Sequence, residues 1–225
     1  IMGYEKMFGS DFQLKTEVYY QHINNLPVPT NPDKYWAPIY GGVNYGDTLA
    51  NIGEGRNYGL ELTLQKFFTR SYYFLFSSSL FDSEYKPADG MWYDTKFNLG
   101  FINNAVGGKE FMWGSNKMVG LNLRMIWSGG RRILTVDLPA SIEEGHTVYQ
   151  DYDLFSKQAR DYFRIDFGLK LHFFRTKTEH VLSLDIQNLT NRTNVLAEEY
   201  NPETESVEEY PMTGFIPIFN YRLEF

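Results

Sequence analysis

The stretch Phe163-Arg164-Ile165-Asp166-Phe167-Gly168-Leu169-Lys170-Leu171-His172-Phe173 decides the fold. Its apolar residues Phe163, Ile165, Phe167, Leu169, Leu171 and Phe173 share one parity. Arg164, Asp166, Lys170 and His172 share the other. Successive side chains of a strand point to opposite faces, so this segment reads as a strand with one greasy and one charged face.

The same alternation recurs on both sides of that segment. In residues 12–21, Phe12, Leu14, Thr16, Val18 and Tyr20 oppose Gln13, Lys15, Glu17, Tyr19 and Gln21. In residues 57–68, Tyr58, Leu60, Leu62 and Leu64 oppose Asn57, Gly59, Glu61, Thr63 and Gln65. Val119, Leu121, Leu123, Met125 and Trp127 oppose Gly120, Asn122 and Arg124. Leu182, Leu184 and Ile186 oppose Ser183, Asp185 and Gln187, and Phe215, Pro217, Phe219, Tyr221, Leu223 and Phe225 oppose Asn220, Arg222 and Glu224. Two further strands are predicted near residues 72–81 and 93–103. The total is about eight strands of about 10 residues, the length that crosses a bilayer at a tilt.

Composition agrees. Aromatic residues make up 17% of the chain, yet charged residues reach 22% and mean hydropathy is −0.40. No uninterrupted apolar stretch of about 18 residues exists, which excludes a helical membrane protein. In a transmembrane barrel only alternate residues meet lipid, and that reconciles abundant aromatics with low hydropathy. With no cysteine, disulfides and thiolate chemistry are excluded. A net charge of −7 argues against nucleic-acid binding. No signal peptide opens the chain, so a mature protein or a fragment is expected.

Charge placement gives the faces their meaning. Lys15, Glu17, Glu61, Arg124, Arg164, Asp166, Lys170, Asp185 and Arg222 all take the polar parity and are expected to face the lumen. A charge on the lipid face at the midplane costs about 2–4 kcal/mol. Arg56, Lys66 and Lys117 have the apolar parity but lie at strand ends, where a long stem reaches the interface. The connections alternate in length. Long ones are read at residues 23–54, 128–161 and 189–213, a medium one at 82–92, and short ones at 69–71, at Gly107-Gly108 and at 175–179. Extended loops outside and tight turns on the periplasmic side follow that pattern. The fold class expected is therefore all-β, a transmembrane antiparallel β-barrel. Helices are not expected.

Three segments resemble the TonB-dependent outer-membrane receptors. Residues Asn57-Tyr58-Gly59-Leu60-Glu61-Leu62-Thr63-Leu64 look like a barrel strand in which a small residue precedes an apolar–Glu–apolar run. Ser183-Leu184-Asp185-Ile186-Gln187-Asn188-Leu189-Thr190-Asn191 is similar to the penultimate-strand motif, where Asn-Leu marks the passage into a loop. Tyr221-Arg222-Leu223-Glu224-Phe225 looks like the terminal strand, and Glu17-Val18-Tyr19-Tyr20-Gln21 with Leu26-Pro27-Val28-Pro29 also resembles the family.

The resemblance implies that residues 1–225 are the C-terminal part of a barrel of about 22 strands, of which about eight lie here. The plug domain and TonB-contacting box, N-terminal in that family, are not found in the chain. It also implies uptake of a scarce ligand (siderophore, vitamin, oligosaccharide or peptide) in the Gram-negative outer membrane. The partners implied are the TonB energy-coupling complex, the β-barrel assembly machinery, outer-membrane lipid and lipopolysaccharide, and a surface lipoprotein. Tyr221, Leu223 and Phe225 resemble the signal read by the assembly machinery.

Ligand capture is expected from aromatic rings on the long connections, with Tyr35, Trp36, Tyr40, Trp92, Tyr149 and Tyr152 as candidates. Arg131-Arg132 suits an anionic ligand or lipopolysaccharide phosphate, and the Glu-rich segment from Glu198 to Glu209 reads as a solvated surface. His22, His146, His172 and His180 lack metal-ligand spacing, so no metal, cofactor or catalysis is expected. Two alternatives stand beside the transporter reading. One is a self-contained small barrel with a structural or adhesive role, in which the first and last strands pair. The other is a secreted glycan-binding β-sandwich.

Overall fold

A computed structural model describes residues 1–34, 47–150 and 155–225. It contains the strands β1 (Met2–Phe8), β2 (Phe12–Pro29), β3 (Leu49–Thr69), β4 (Tyr72–Lys86), β5 (Tyr93–Asp94), β6 (Phe101–Met112) and β7 (Lys117–Ser128). There follow β8 (Arg132–Ile133), the helix α1 (Leu138–Glu144), β9 (Lys157–Gln158), β10 (Tyr162–Phe174) and β11 (Glu179–Gln187). The chain continues through β12 (Val195–Asn201), β13 (Ser206–Pro211) and β14 (Ile216–Glu224).

The main sheet runs β1-β2-β3-β4-β6-β7-β10-β11-β14, with β5 attached to β4. Each strand on this path pairs antiparallel with its neighbours. Register keeps the faces separate along the whole path. Val18 lies opposite Leu60, Leu60 opposite Leu80, and Leu80 opposite Phe101. Further on, Leu123 meets Phe167, Phe167 meets Ile186, and Leu184 meets Phe219. The polar parity is equally continuous: Glu17 lies opposite Glu61, Arg124 opposite Asp166, and Gly168 opposite Asp185. Because the side-chain period is two, a one-residue slip in any pair would have broken this.

Among the described residues, much of the apolar face is exposed. Leu60 is 47% exposed, Leu80 55% and Phe219 74%. A sandwich buries such residues between two sheets. Here, among the described residues, the other sheets are only the two-stranded β12-β13 and β8-β9. Most of the buried hydrophobic residues gather instead at the end where the long connections lie, at Val28, Tyr85, Ile133, Val136, Val195 and Tyr200, while Val181 is buried near the opposite end. β1 and β14 do not pair with each other, so the sheet is not closed and the self-contained small barrel does not form.

Two strands far exceed what a bilayer needs. β2 has 18 residues and β3 has 21, against the roughly 9–11 that cross at a tilt. The excess lies at the end of the long connections. Short turns fill the opposite end, at residues 9–11, 70–71, 113–116 and 175–178. Arg70 and Ser71 both have positive φ, 53° and 65°, as a tight hairpin turn requires.

Several expectations are corrected. The strand read at residues 93–103 is instead the two-residue β5, a turn, and only then the start of β6. Gly107-Gly108 is not a turn but the middle of β6, where Gly108 lies opposite Tyr73 and Asn122. A Cβ on Gly108 would fall 2.5 Å from Asn122 Oδ1 and 2.6 Å from Tyr73 Cε1, so glycine answers a close approach rather than a bend. The turn is at residues 113–116, with Gly114 at φ 74°. α1 was not anticipated either. Its local signals are the Asp137 N-cap accepting from Ala140 N, a proline in the first turn and Gly145 at φ 70° as C-cap. β1 lies outside the predicted strands, and the β12–β13 hairpin lies within the connection read at 189–213.

Candidate ligand-binding cleft

At the long-connection end, three segments meet: residues 87–100, 129–150 with 155–161, and 188–215. Asn98, 4% exposed, ties the first to the sheet by donating from Nδ2 to Asp82 Oδ1 and Asp94 Oδ1, each at 2.5 Å. Arg132 joins the second segment to the first. Its Nε donates to Asn98 O at 3.1 Å and its Nη1 lies 2.8 Å from Asp94 Oδ2. A further Arg132 bond reaches Ser156 O at 3.0 Å. Gln158 Nε2 bridges Leu99 O and Gly130 O at 3.2 and 2.9 Å.

Asn188 and Asn194 fix the third segment. Asn188 leaves β11 with φ 51° and its amide N donates to Asp166 Oδ1 at 2.9 Å. This is the residue whose Asn-Leu pattern marked the passage from strand to loop, and an asparagine tolerates the left-handed conformation that the exit needs. The Asn194 side chain pairs with the backbone of Phe163 at 3.0 Å in both directions. Two carboxylates of the acidic segment are paired, Glu198 largely buried and Glu209 exposed. Lys157 Nζ lies 2.6 Å from Glu198 Oε2, and Arg160 Nη2 lies 2.7 Å from Glu209 Oε2.

Between these segments opens a cleft of about 470 Å³, lined by Lys96, Phe97, Arg131, Phe155, Arg160 and Tyr162, among others. Ser128 and Tyr162 also line it and lie opposite each other in the β7–β10 register. They have the parity of Arg124 and Arg164, so the cleft opens on the polar face of the sheet. A smaller cleft of about 180 Å³ shares Arg131, Arg132 and Phe155 and adds Tyr149. The Tyr149 hydroxyl donates to Glu198 O at 3.3 Å, and burial, with the Glu199 carboxylate second, pushes its pKa up.

The candidate aromatics separate. Tyr149 reaches the cleft region. Trp92 does not line it: its ring lies 4.2 Å from Arg56 Cζ and 5.4 Å from Lys86 Nζ, a cation–π arrangement at the tip of β3 and β4. Tyr35, Trp36, Tyr40 and Tyr152 lie outside the described residues. Lys96, Phe97 and Phe155 escaped the sequence reading. Lys96 and Phe97 were assigned to a strand interior, and Phe155 belongs to no periodic segment.

All nine polar-parity charges share one face. Lys15 pairs with Glu17 at 2.7 Å, which relieves the like-charge opposition of Glu17 and Glu61. Arg164 grips Asp166 with two bonds, Nε–Oδ1 at 2.6 Å and Nη2–Oδ2 at 2.8 Å. Arg222 pairs with Glu224 at 2.9 Å. Arg124, Arg164, Asp166 and Asp185 line one shallow concavity of about 410 Å³. Lys170 lies opposite Gly120 and Ser183. Tyr221 and Leu223 are exposed on β14, and Phe225, just beyond it, is also exposed, while the Tyr221 hydroxyl is 2.8 Å from His180 Nδ1. The other histidines stand apart: His22 lies 3.6 Å from Glu54, His172 2.5 Å from Glu179, and His146 3.1 Å from Glu144 O.

Neither curated proteins nor solved structures give a match to this chain. A family model does, over residues 2–189; its description is TonB dependent receptor-like, beta-barrel.

Proposed function

Because this chain belongs to the TonB-dependent receptor-like β-barrel family, we propose that it forms part of an outer-membrane active transporter, importing a scarce ligand with energy from the TonB complex. The observation that carries this reading is the family match over a sheet whose register keeps the mid-strand charges, from Glu17 and Glu61 to Arg124 and Asp166, on one face. In this reading the apolar face meets lipid and the polar face lines the lumen. The long connections stand outside the cell, where they meet ligand, lipopolysaccharide and a surface lipoprotein.

The edges β1 and β14 carry unpaired backbone donors and acceptors and would join further strands of one barrel. Tyr221, Leu223 and Phe225, apolar and exposed at or beside such an edge, suit recognition by the assembly machinery through strand addition. The ligand remains a siderophore, vitamin, oligosaccharide or peptide. The reading contains no catalytic step.

The test is fractionation combined with uptake. The chain should sediment with outer membranes, and accumulation of its ligand should vanish in a strain lacking TonB. Recovery in the soluble fraction, or uptake indifferent to TonB, overturns the reading.

A further inference from the structure

We infer that the rim cleft receives an anionic ligand with an aromatic or apolar portion, and that Arg131 is the side chain that meets its charge. This rests on the uptake reading above and names the chemistry of its ligand.

The chain is acidic overall, with a net charge of −7. Against that background Lys96, Arg131, Arg132 and Arg160 converge on one cleft. They do not play the same part. Arg132 is spent on architecture, bonded to Asp94, Asn98 O and Ser156 O. Arg160 is held by Glu209. Arg131 is exposed, and its guanidinium makes no hydrogen bond or ion pair with the described residues. Its backbone is nevertheless anchored, since Ala159 N donates to Arg131 O at 3.0 Å. The anchored backbone holds the root of the side chain at the cleft, and the guanidinium offers five N–H groups in a planar fork.

The rest of the lining fits the other half of such a ligand. Phe97, Phe155 and Tyr162 offer rigid faces that stack on a ring without losing much side-chain freedom. Asp94 and Glu209 are already paired to Arg132 and Arg160, so these two carboxylates do not repel an incoming anion as free charges would. Position selects between sources of negative charge. Because Ser128 and Tyr162 line the cleft with the polar parity, it faces away from the lipid side, where lipopolysaccharide phosphates sit.

The probe is 1,3,6,8-pyrenetetrasulfonate, an aromatic tetra-anion, followed by fluorescence anisotropy with the chain extracted from outer membranes into detergent. It should bind at low salt and weaken as salt rises. Arg131→Gln should lower its affinity about tenfold. Arg131→Lys, which keeps the charge but loses the fork, should fall between the two. Arg175→Gln, on a short turn, should match the wild type. Failure of the wild type to bind, equal affinity across the Arg131 variants, or displacement by purified lipopolysaccharide would each overturn the inference. The TonB dependence of uptake is scored separately in the same strains, so a failed cleft and a failed transporter reading are distinguishable.

Discussion

Lys66 folds its ammonium over the ring of Tyr72, 3.9 Å from the centroid, and is 2% exposed although it occupies the parity of the apolar face. The group also donates to Thr69 Oγ1 at 2.6 Å, to Thr69 O and Phe67 O at 3.1 Å, and to Tyr72 O at 3.3 Å. Thr69 Oγ1 in turn donates to Asp11 Oδ2 at 2.8 Å, so one cation links the β3–β4 turn to the β1–β2 turn. The long stem carries the charge from a lipid-facing position to turn carbonyls, which is how a strand-end lysine escapes the bilayer.

Replacing Lys66 with Met keeps the stem and removes the charged donor. Loss of charge-assisted bonds to buried acceptors should cost about 1–3 kcal/mol. The expected result is a lower urea midpoint, read from tryptophan fluorescence of the detergent-extracted protein. An unchanged midpoint would mean that the turn carbonyls find water instead.

Asp11 makes the same turn sensitive to acid. The Ser10 and Thr69 hydroxyls, in that order of importance, hold its carboxyl below the ordinary value of 3.8, and desolvation opposes them. A depressed carboxylate contributes stability that is present above its unfolded pKa and is lost as pH falls through its folded pKa. Wild type should therefore lose midpoint as pH drops below the ordinary aspartate value, and Asp11→Asn should show a flatter profile over that range. Parallel curves for the two proteins would rule out this origin.

Asp166 is held from two sides, by the Arg164 fork and by Asn188 N at 2.9 Å. Removing its carboxylate with Asp166→Ala strands a partly buried guanidinium and frees the exit of β11. A loss of about 1–3 kcal/mol is expected. In a double-mutant cycle with Arg164→Ala the two losses should fail to add, because both report one interaction. Additive losses would show that the pair is uncoupled.

Gly130 lies against the backbone of Ala159 so closely that a Cβ would overlap the Ala159 carbonyl. Gly130→Ala must therefore displace the chain that carries Arg131. The pyrenetetrasulfonate affinity should drop, while the heat-modifiable electrophoretic mobility of the folded sheet persists. Retained affinity would mean that the rim relaxes without moving the guanidinium.

Alternation alone determined six strands of the main sheet, β2, β3, β7, β10, β11 and β14, and the two faces they share. Each depends only on whether a residue's parity matches its neighbours', and residues 163–173 display that locally. Where local signals compete, the reading failed. Gly107 and Gly108 resemble a turn in isolation, and only the crowding by Tyr73 and Asn122 explains glycine inside a strand. The Asp137, Pro139 and Gly145 signals of α1 were legible but too short-ranged to stand out from a long connection.

Tertiary structure decided the rest. Lys96, Arg131, Phe155 and Tyr162 come from separate parts of the chain and share no spacing, so their convergence on one cleft follows from how three connections pack. The division of labour between Arg131 and Arg132 is equally invisible in sequence. Of these adjacent identical residues, Arg132 finds Asp94 and backbone carbonyls, while the Arg131 guanidinium has no such partner among the described residues. Parity is a property of neighbours along the chain, whereas a binding cleft is a property of residues that only folding brings together.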